Sequence, residues 1–147
     1  MEKEGFCIEE IKGDLFGVED SFSLGHCVSQ DLVMGKGIAV EFKERFGNVD
    51  KLKEQKGTIG NGVVLEISQN RLVFYLITKL RYFDKPKMEI LESSLIWMKN
   101  YCINKNIKKL ALPKIGCGLD LLKWTDVKKI LIEIFRETNI HIKIYFL

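Results

Sequence analysis

Apolar and polar positions follow two different periods along the chain, and the switches between them mark the elements. Residues 6–12 alternate and read as a first strand, and residues 23–28 as a short second one. Residues 37–46 set Ile38, Val40, Phe42 and Phe46 among charges and predict a helix. Residues 49–56 continue as a polar helical turn or two, stopped by Gly57. Residues 63–67 and 72–78 predict a hairpin around Ser68-Gln69-Asn70. The run 72–77 is apolar without alternation, the pattern of a strand buried on both faces. Residues 87–104 form the clearest helix, with Ile90, Leu91, Ser94, Leu95, Met98 and Tyr101 at helical spacing and Pro86 just ahead of it. A short strand at 109–112 ends at Pro113. A helix over 126–137 carries Val127, Ile130, Leu131, Ile134 and Phe135 on one face, with Thr125 as its expected N-cap. Residues 140–147 close the chain as a strand.

Short strands interleaved with amphipathic helices predict an α/β fold, a mixed central sheet with helices on both faces. At 147 residues, with no internal repeat or low-complexity stretch, the expectation is one domain spanning 1–147. Ligands of such sheets bind beyond the carboxyl ends of the strands, so the residues that follow strands carry the most functional weight.

Charge narrows the choice of ligand. The net charge is +3, from 23 basic and 20 acidic residues. That near balance carries no strong nucleic-acid signal, yet it allows a locally positive site for a small anion. Cys7, Cys27, Cys102 and Cys117 are widely spaced, with no CxxC pair and no cysteine–histidine zinc spacing, so buried thiols are expected and no metal. The start is charged and no apolar run is long enough to span a bilayer. These features predict an intracellular protein, cytoplasmic or nuclear, without membrane association; a monomer is expected.

Two glycine-bearing loops follow short strands: Met34-Gly35-Lys36-Gly37, which leads into the helix at Ile38, and Gly116-Cys117-Gly118. Glycine lets backbone N–H groups approach an anion, and a helix N-terminus adds partial positive charge. Two such loops at one sheet edge could hold a diphosphate, although each alone also reads as a tight turn. Asp14, after the first strand, is either an Asx-turn residue or an acceptor for an exocyclic amine. Lys79, at the end of the most buried strand, either snorkels to solvent or serves as a nucleophile once neutral. Asp120 is either a solvated loop carboxylate or a base, and a carboxylate beside a lysine favours the ammonium, which opposes nucleophilic attack. Ser29 is a candidate hydroxyl donor or a turn former. His26 reads as a hydrogen-bonded structural histidine. No GxGxxG or P-loop pattern occurs.

Five segments, in order, resemble the macrodomain family: Lys12-Gly13-Asp14-Leu15-Phe16, His26-Cys27-Val28-Ser29, Met34-Gly35-Lys36-Gly37-Ile38-Ala39-Val40, Tyr75-Leu76-Ile77-Thr78-Lys79, and Pro113-Lys114-Ile115-Gly116-Cys117-Gly118-Leu119-Asp120, with Trp124 beyond. Within the family they are similar to members that remove terminal ADP-ribose from proteins and deacetylate O-acetyl-ADP-ribose. The resemblance implies that Asp14 holds the adenine amine with Leu15 beside it. It places Ser29, Gly35, Lys36, Gly37 and Ile38 along the distal ribose and diphosphate, and Gly116, Cys117, Gly118 and Leu119 on the other side. It further implies that Lys79 attacks the distal ribose and that Asp120 helps resolve the adduct, with no cofactor. ADP-ribose, ADP-ribosylated proteins and O-acetyl-ADP-ribose are the implied partners. A non-catalytic ADP-ribose reader would use the same pocket. Residues 80–85, just after Lys79, are expected to shape the entrance.

Overall fold

The computed structural model describes residues 5–117 and 122–147. Its elements run β1 (Cys7–Lys12), a 3-10 turn (Leu15–Gly17), β2 (Ser23–Ser29), α1 (Ile38–Phe46), α2 (Val49–Glu54), β3 (Gly62–Ser68), β4 (Arg71–Lys79), α3 (Met88–Asn104), β5 (Lys109–Pro113), α4 (Trp124–Phe135) and β6 (His141–Phe146). The six strands form one sheet in the order β1-β6-β5-β2-β4-β3. All neighbours are parallel except β3, which returns antiparallel along β4 through the hairpin. Asn70 supplies the left-handed residue of that turn, with φ 61°.

Two apolar layers cover the sheet, as expected of a mixed sheet with helices on both faces. On one face Leu91, Leu95 and Met98 of α3 and Val127, Leu131 and Phe135 of α4 pack on Phe74, Leu76, Leu112, Ile142 and Ile144. On the other, Phe42 of α1 and Leu52 of α2 join Leu15, Leu24, Val28, Val73, Tyr75 and Ile77. The apolar run in β4 is explained by this: Val73 through Ile77 are each at most 1% exposed, because odd and even positions face different helix layers. At roughly 1.5–3 kcal/mol for each large apolar side chain fully buried, this strand anchors both layers. The outer strand β1 carries Glu9, Glu10 and Lys12, charges that discourage pairing with another chain.

The N-terminus of α4 differs from expectation. The helix begins at Trp124, its N-cap is Lys123 with no side-chain capping bond, and Thr125 lies inside the first turn. Long-range contacts decide this. The Trp124 indole N–H donates to Glu10 Oε1 at 2.9 Å, and the Lys114 ammonium lies 5.8 Å from its ring centroid. The thiols differ too. Cys102 is buried, but Cys7 is exposed on the edge strand, and Cys27 and Cys117 are half-buried.

Candidate ligand cleft at the carboxyl ends of the central strands

β5, β2 and β4 lie side by side, and the chain leaving each of them lines one cleft of about 560 Å³. From β2 come Ser29 and the loop through Met34, Gly35, Lys36 and Gly37 to Ile38 and Ala39. From β4 come Lys79 and Tyr82 to Lys85, and from β5 come Pro113 to Cys117. That volume lies within the range of small-molecule sites. A smaller cavity of about 290 Å³, under α2 against Val63 and Ile77, contains none of the predicted site residues.

The two glycine loops therefore line one cleft, the second through Gly116 and Cys117. Gly37 is the N-cap of α1, with φ 61° and ψ −149°, a conformation costly for any residue with a side chain. Gly37 has no side chain to cap that helix, and Val40 N–H bonds the Gly37 carbonyl at 3.2 Å, so the N–H groups of Ile38 and Ala39 are the first-turn donors left for an anion. Lys36 beside it is exposed. Gly116 has φ 73°, and a Cβ there would stand 2.8 Å from the Leu122 side chain and 3.3 Å from Leu91. The cleft wall at Gly116 can thus approach a ligand only as bare backbone. Gly118, Leu119 and Asp120 lie outside the described residues.

Lys79 is half-buried at the end of β4 and lines the cleft. The β2·β4 register shifts between Val28 and Ser29, which brings Ser29 opposite Lys79 instead of Thr78. Ser29 is 4% exposed, and its hydroxyl makes a short hydrogen bond to Asp31 Oδ1. Sequence reading passed over Asp31. Its carboxylate also accepts the N–H of Val33 at 3.2 Å and of Tyr82 at 3.1 Å, and it interacts electrostatically with Lys79. Burial opposes its charge. The Ser29 hydroxyl, the two N–H donors and Lys79 together outweigh burial and hold the carboxyl below its ordinary value. One side chain thus ties the end of β2, the loop before α1 and the segment after β4. The available signal was its position, two residues past a strand end at the ligand-binding edge.

Within the segment 80–85, expected to shape the entrance, Tyr82 to Lys85 contribute a wall. Tyr82 is 50% exposed and Phe83 62%, and their rings meet edge to face at 5.4 Å. Arg81 lies 5.4 Å from the Phe83 centroid, and Asp84 accepts the Arg81 N–H at 3.0 Å, which closes the turn.

Asp14 and Leu15 are not among the residues that line this cleft. Asp14 is exposed at the end of β1, and its Oδ1 accepts the Phe16 N–H at 3.0 Å, an Asx-type cap of the 3-10 turn. Leu15 is 3% exposed and belongs to the core. The carboxylate can still accept further donors. His26 corrects the sequence reading. It is fully buried, and neither ring nitrogen has a hydrogen-bond partner among the described residues. Instead the imidazole stacks on Phe42 with centroids 3.7 Å apart and planes 7° apart, and meets Tyr75 edge-on at 4.9 Å. Burial keeps it neutral, pushing its pKa down to about 3.

Known proteins provide an independent comparison. The chain is 44% identical over 146 residues to ADP-ribose glycohydrolase OARD1 of Bos taurus, covering 99% of this chain and 95% of that protein. Its structure superimposes on the macrodomain of Thermus aquaticus DarG with a TM-score of 0.86 at 25% identity, covering 97% of this chain and all of that one. It also matches Thermosipho africanus DarTG in complex with ADP-ribose, with a TM-score of 0.79 at 25% identity over 95% of this chain and 41% of that one. The Macro domain profile matches residues 26–131, a span that runs from within β2 into α4. The chain belongs to the Macro domain family.

Proposed function

We propose that this protein is a hydrolase that releases ADP-ribose from ester-linked adducts on glutamate or aspartate side chains, and that it also deacylates O-acetyl-ADP-ribose. The observation that carries the reading is Lys79: an amine at a strand end, opening into the cleft that two glycine-lined backbone walls share. Support comes from the 44% identity to a protein named ADP-ribose glycohydrolase, and from the structural match to a chain in complex with ADP-ribose.

In this reading the diphosphate lies between the N-terminus of α1 and the Gly116-Cys117 wall, and Gly118 and Leu119, which lie outside the described residues, are assigned to the same ligand by the family resemblance. Backbone N–H groups there require no counter-charge beyond the helix dipole. Asp14 takes the adenine amine and Leu15 lies beside it. Ser29 and the loop from Gly35 to Ile38 flank the distal ribose. The neutral amine of Lys79 attacks the anomeric carbon of that ribose. The bond from carbon to the ester oxygen breaks with its electron pair, and the protein carboxylate departs. A carboxylate leaves readily, so no metal is required for this step. The amine proton is lost to a base, and water then resolves the lysine–ADP-ribose adduct with the help of Asp120, restoring the amine and freeing ADP-ribose. Asp31 acts through others: it holds Ser29 and the Tyr82 backbone in place beside Lys79.

The test is release of free ADP-ribose from a glutamate-linked substrate by the wild-type protein, Lys79→Ala and Asp120→Ala. Turnover by wild type, with both variants inactive but still binding ADP-ribose, supports the hydrolase. A wild type that binds ADP-ribose and releases none leaves a non-catalytic reader.

A further inference from the structure

At the opposite end of the sheet, parallel pairing of β1 with β6 gathers three chemically distinct side chains. Cys7 is the register partner of His141, and Glu9 follows Cys7 by two residues on the same strand. The period of two puts all three on one sheet face. Their ligand atoms, the Cys7 thiol sulfur, a Glu9 carboxylate oxygen and a His141 ring nitrogen, all lie within 4.8 Å of one another. His141 Nε2 already makes a short contact with Glu9 Oε2. The His141 ring is oriented from behind by Phe22, which is 1% exposed and meets it edge-on at 5.5 Å. We propose that Cys7, Glu9 and His141 form a binding site for a zinc-class divalent cation, with solvent in the fourth position.

The donor set selects the ion. One thiolate and one imidazole favour zinc over magnesium or calcium, which take oxygen ligands. Bond lengths of about 2.3 Å to sulfur and 2.0–2.2 Å to nitrogen and oxygen let one ion bridge atoms this close, after small rotations of the exposed Cys7 and Glu9 side chains. Binding displaces the thiol proton to solvent and replaces the Nε2–carboxylate contact. Two lysines neighbour the site. Lys143 is engaged by Glu19 at 3.0 Å, and Lys109 lies 5.6 Å from the Phe22 ring centroid. Spacing along the chain conceals this group, because 132 residues separate Glu9 from His141.

Cobalt(II) titration of the reduced protein tests the site. The expected result is a thiolate-to-cobalt charge-transfer band saturating at one equivalent, abolished by Cys7→Ser, strongly weakened by His141→Gln, and retained when Cys27 and Cys117 are both serine. Added zinc should displace cobalt and raise the melting temperature by roughly 5–10 °C at a hundredfold excess over Kd, whereas magnesium should not. No band at stoichiometric cobalt, or a band that survives in Cys7→Ser, overturns the proposal. The readout is independent of ADP-ribose release, so it stands or falls separately from the proposed activity; Cys7→Ser should release ADP-ribose as wild type does.

Discussion

Asp31 lies in electrostatic contact with Lys79 while its oxygens receive the Ser29 hydroxyl and the Tyr82 N–H. Lys79 can therefore serve as a charge partner of that carboxylate or, as proposed, attack as a neutral amine. Arginine at position 79 separates the two roles, since it keeps the charge but cannot act as an amine nucleophile. Lys79→Arg and Lys79→Ala should both lose turnover by at least about a thousandfold while ADP-ribose affinity changes only a few-fold. Single-turnover release and calorimetric binding measure the two; an active Lys79→Arg would reject the nucleophile.

Asp31→Asn keeps the shape and removes the charge. The Tyr82 N–H then loses a charge-assisted partner, and the segment that walls the cleft is held less firmly. KM should rise by about tenfold, equivalent to about 1.4 kcal/mol, with a smaller change in kcat. Steady-state kinetics with the glutamate-linked substrate check this, and an unchanged KM would show that the tie to Tyr82 is dispensable.

Gly116→Ala places a Cβ 2.8 Å from Leu122 in a left-handed conformation. A cost of roughly 1–3 kcal/mol is expected. It should appear both as a lower melting temperature and as weaker ADP-ribose binding, because the strained backbone is itself the cleft wall. Thermal unfolding with and without ligand distinguishes the two effects.

His26 makes stability depend on acid. Its folded pKa is about 3 against an ordinary 6.5, so between these values the unfolded chain binds the proton and the folded one does not. The neutral ring's contribution is complete above about pH 6.5 and is lost as pH falls toward 3, by on the order of 5 kcal/mol in total. Denaturant midpoints from pH 7 to 4 should fall more steeply in wild type than in His26→Phe, which keeps an aromatic ring against Phe42. Parallel slopes would show that His26 does not govern acid sensitivity.

Phe42→Ala should cost about 3–5 kcal/mol, since the ring is fully buried and supports Phe16, His26 and Phe46 at once. Chemical denaturation measures it.

Local periodicity made most elements legible. The doubly buried β4 and the amphipathic α3 needed only their own residues to be read. The failures at Thr125 and His26 involve partners that other elements bring in. Thr125 looks like a cap until Glu10, 114 residues away from Trp124, fixes the indole in the first turn. His26 looks hydrogen-bonded until α1 brings Phe42 flat against it. Within the site, the glycine loops and Lys79 were recognisable because strand ends are marked by local pattern. Asp31 was not, because its importance arises from Tyr82, 51 residues later. Asp14 was legible as a turn former, and its Asx-type cap bears out that reading.

The adjacency of β5, β2 and β4 also sets a ruler. Neighbouring strands stand about 4.8 Å apart, so the outer two of the three segments spring from points roughly 10 Å apart, whatever their loops contain. That span cannot be stretched by side-chain substitution without breaking the sheet ladder. A version of this protein suited to bulkier adducts would therefore have to change the aromatic lip at Tyr82 and Phe83, leaving the gauge beneath it intact.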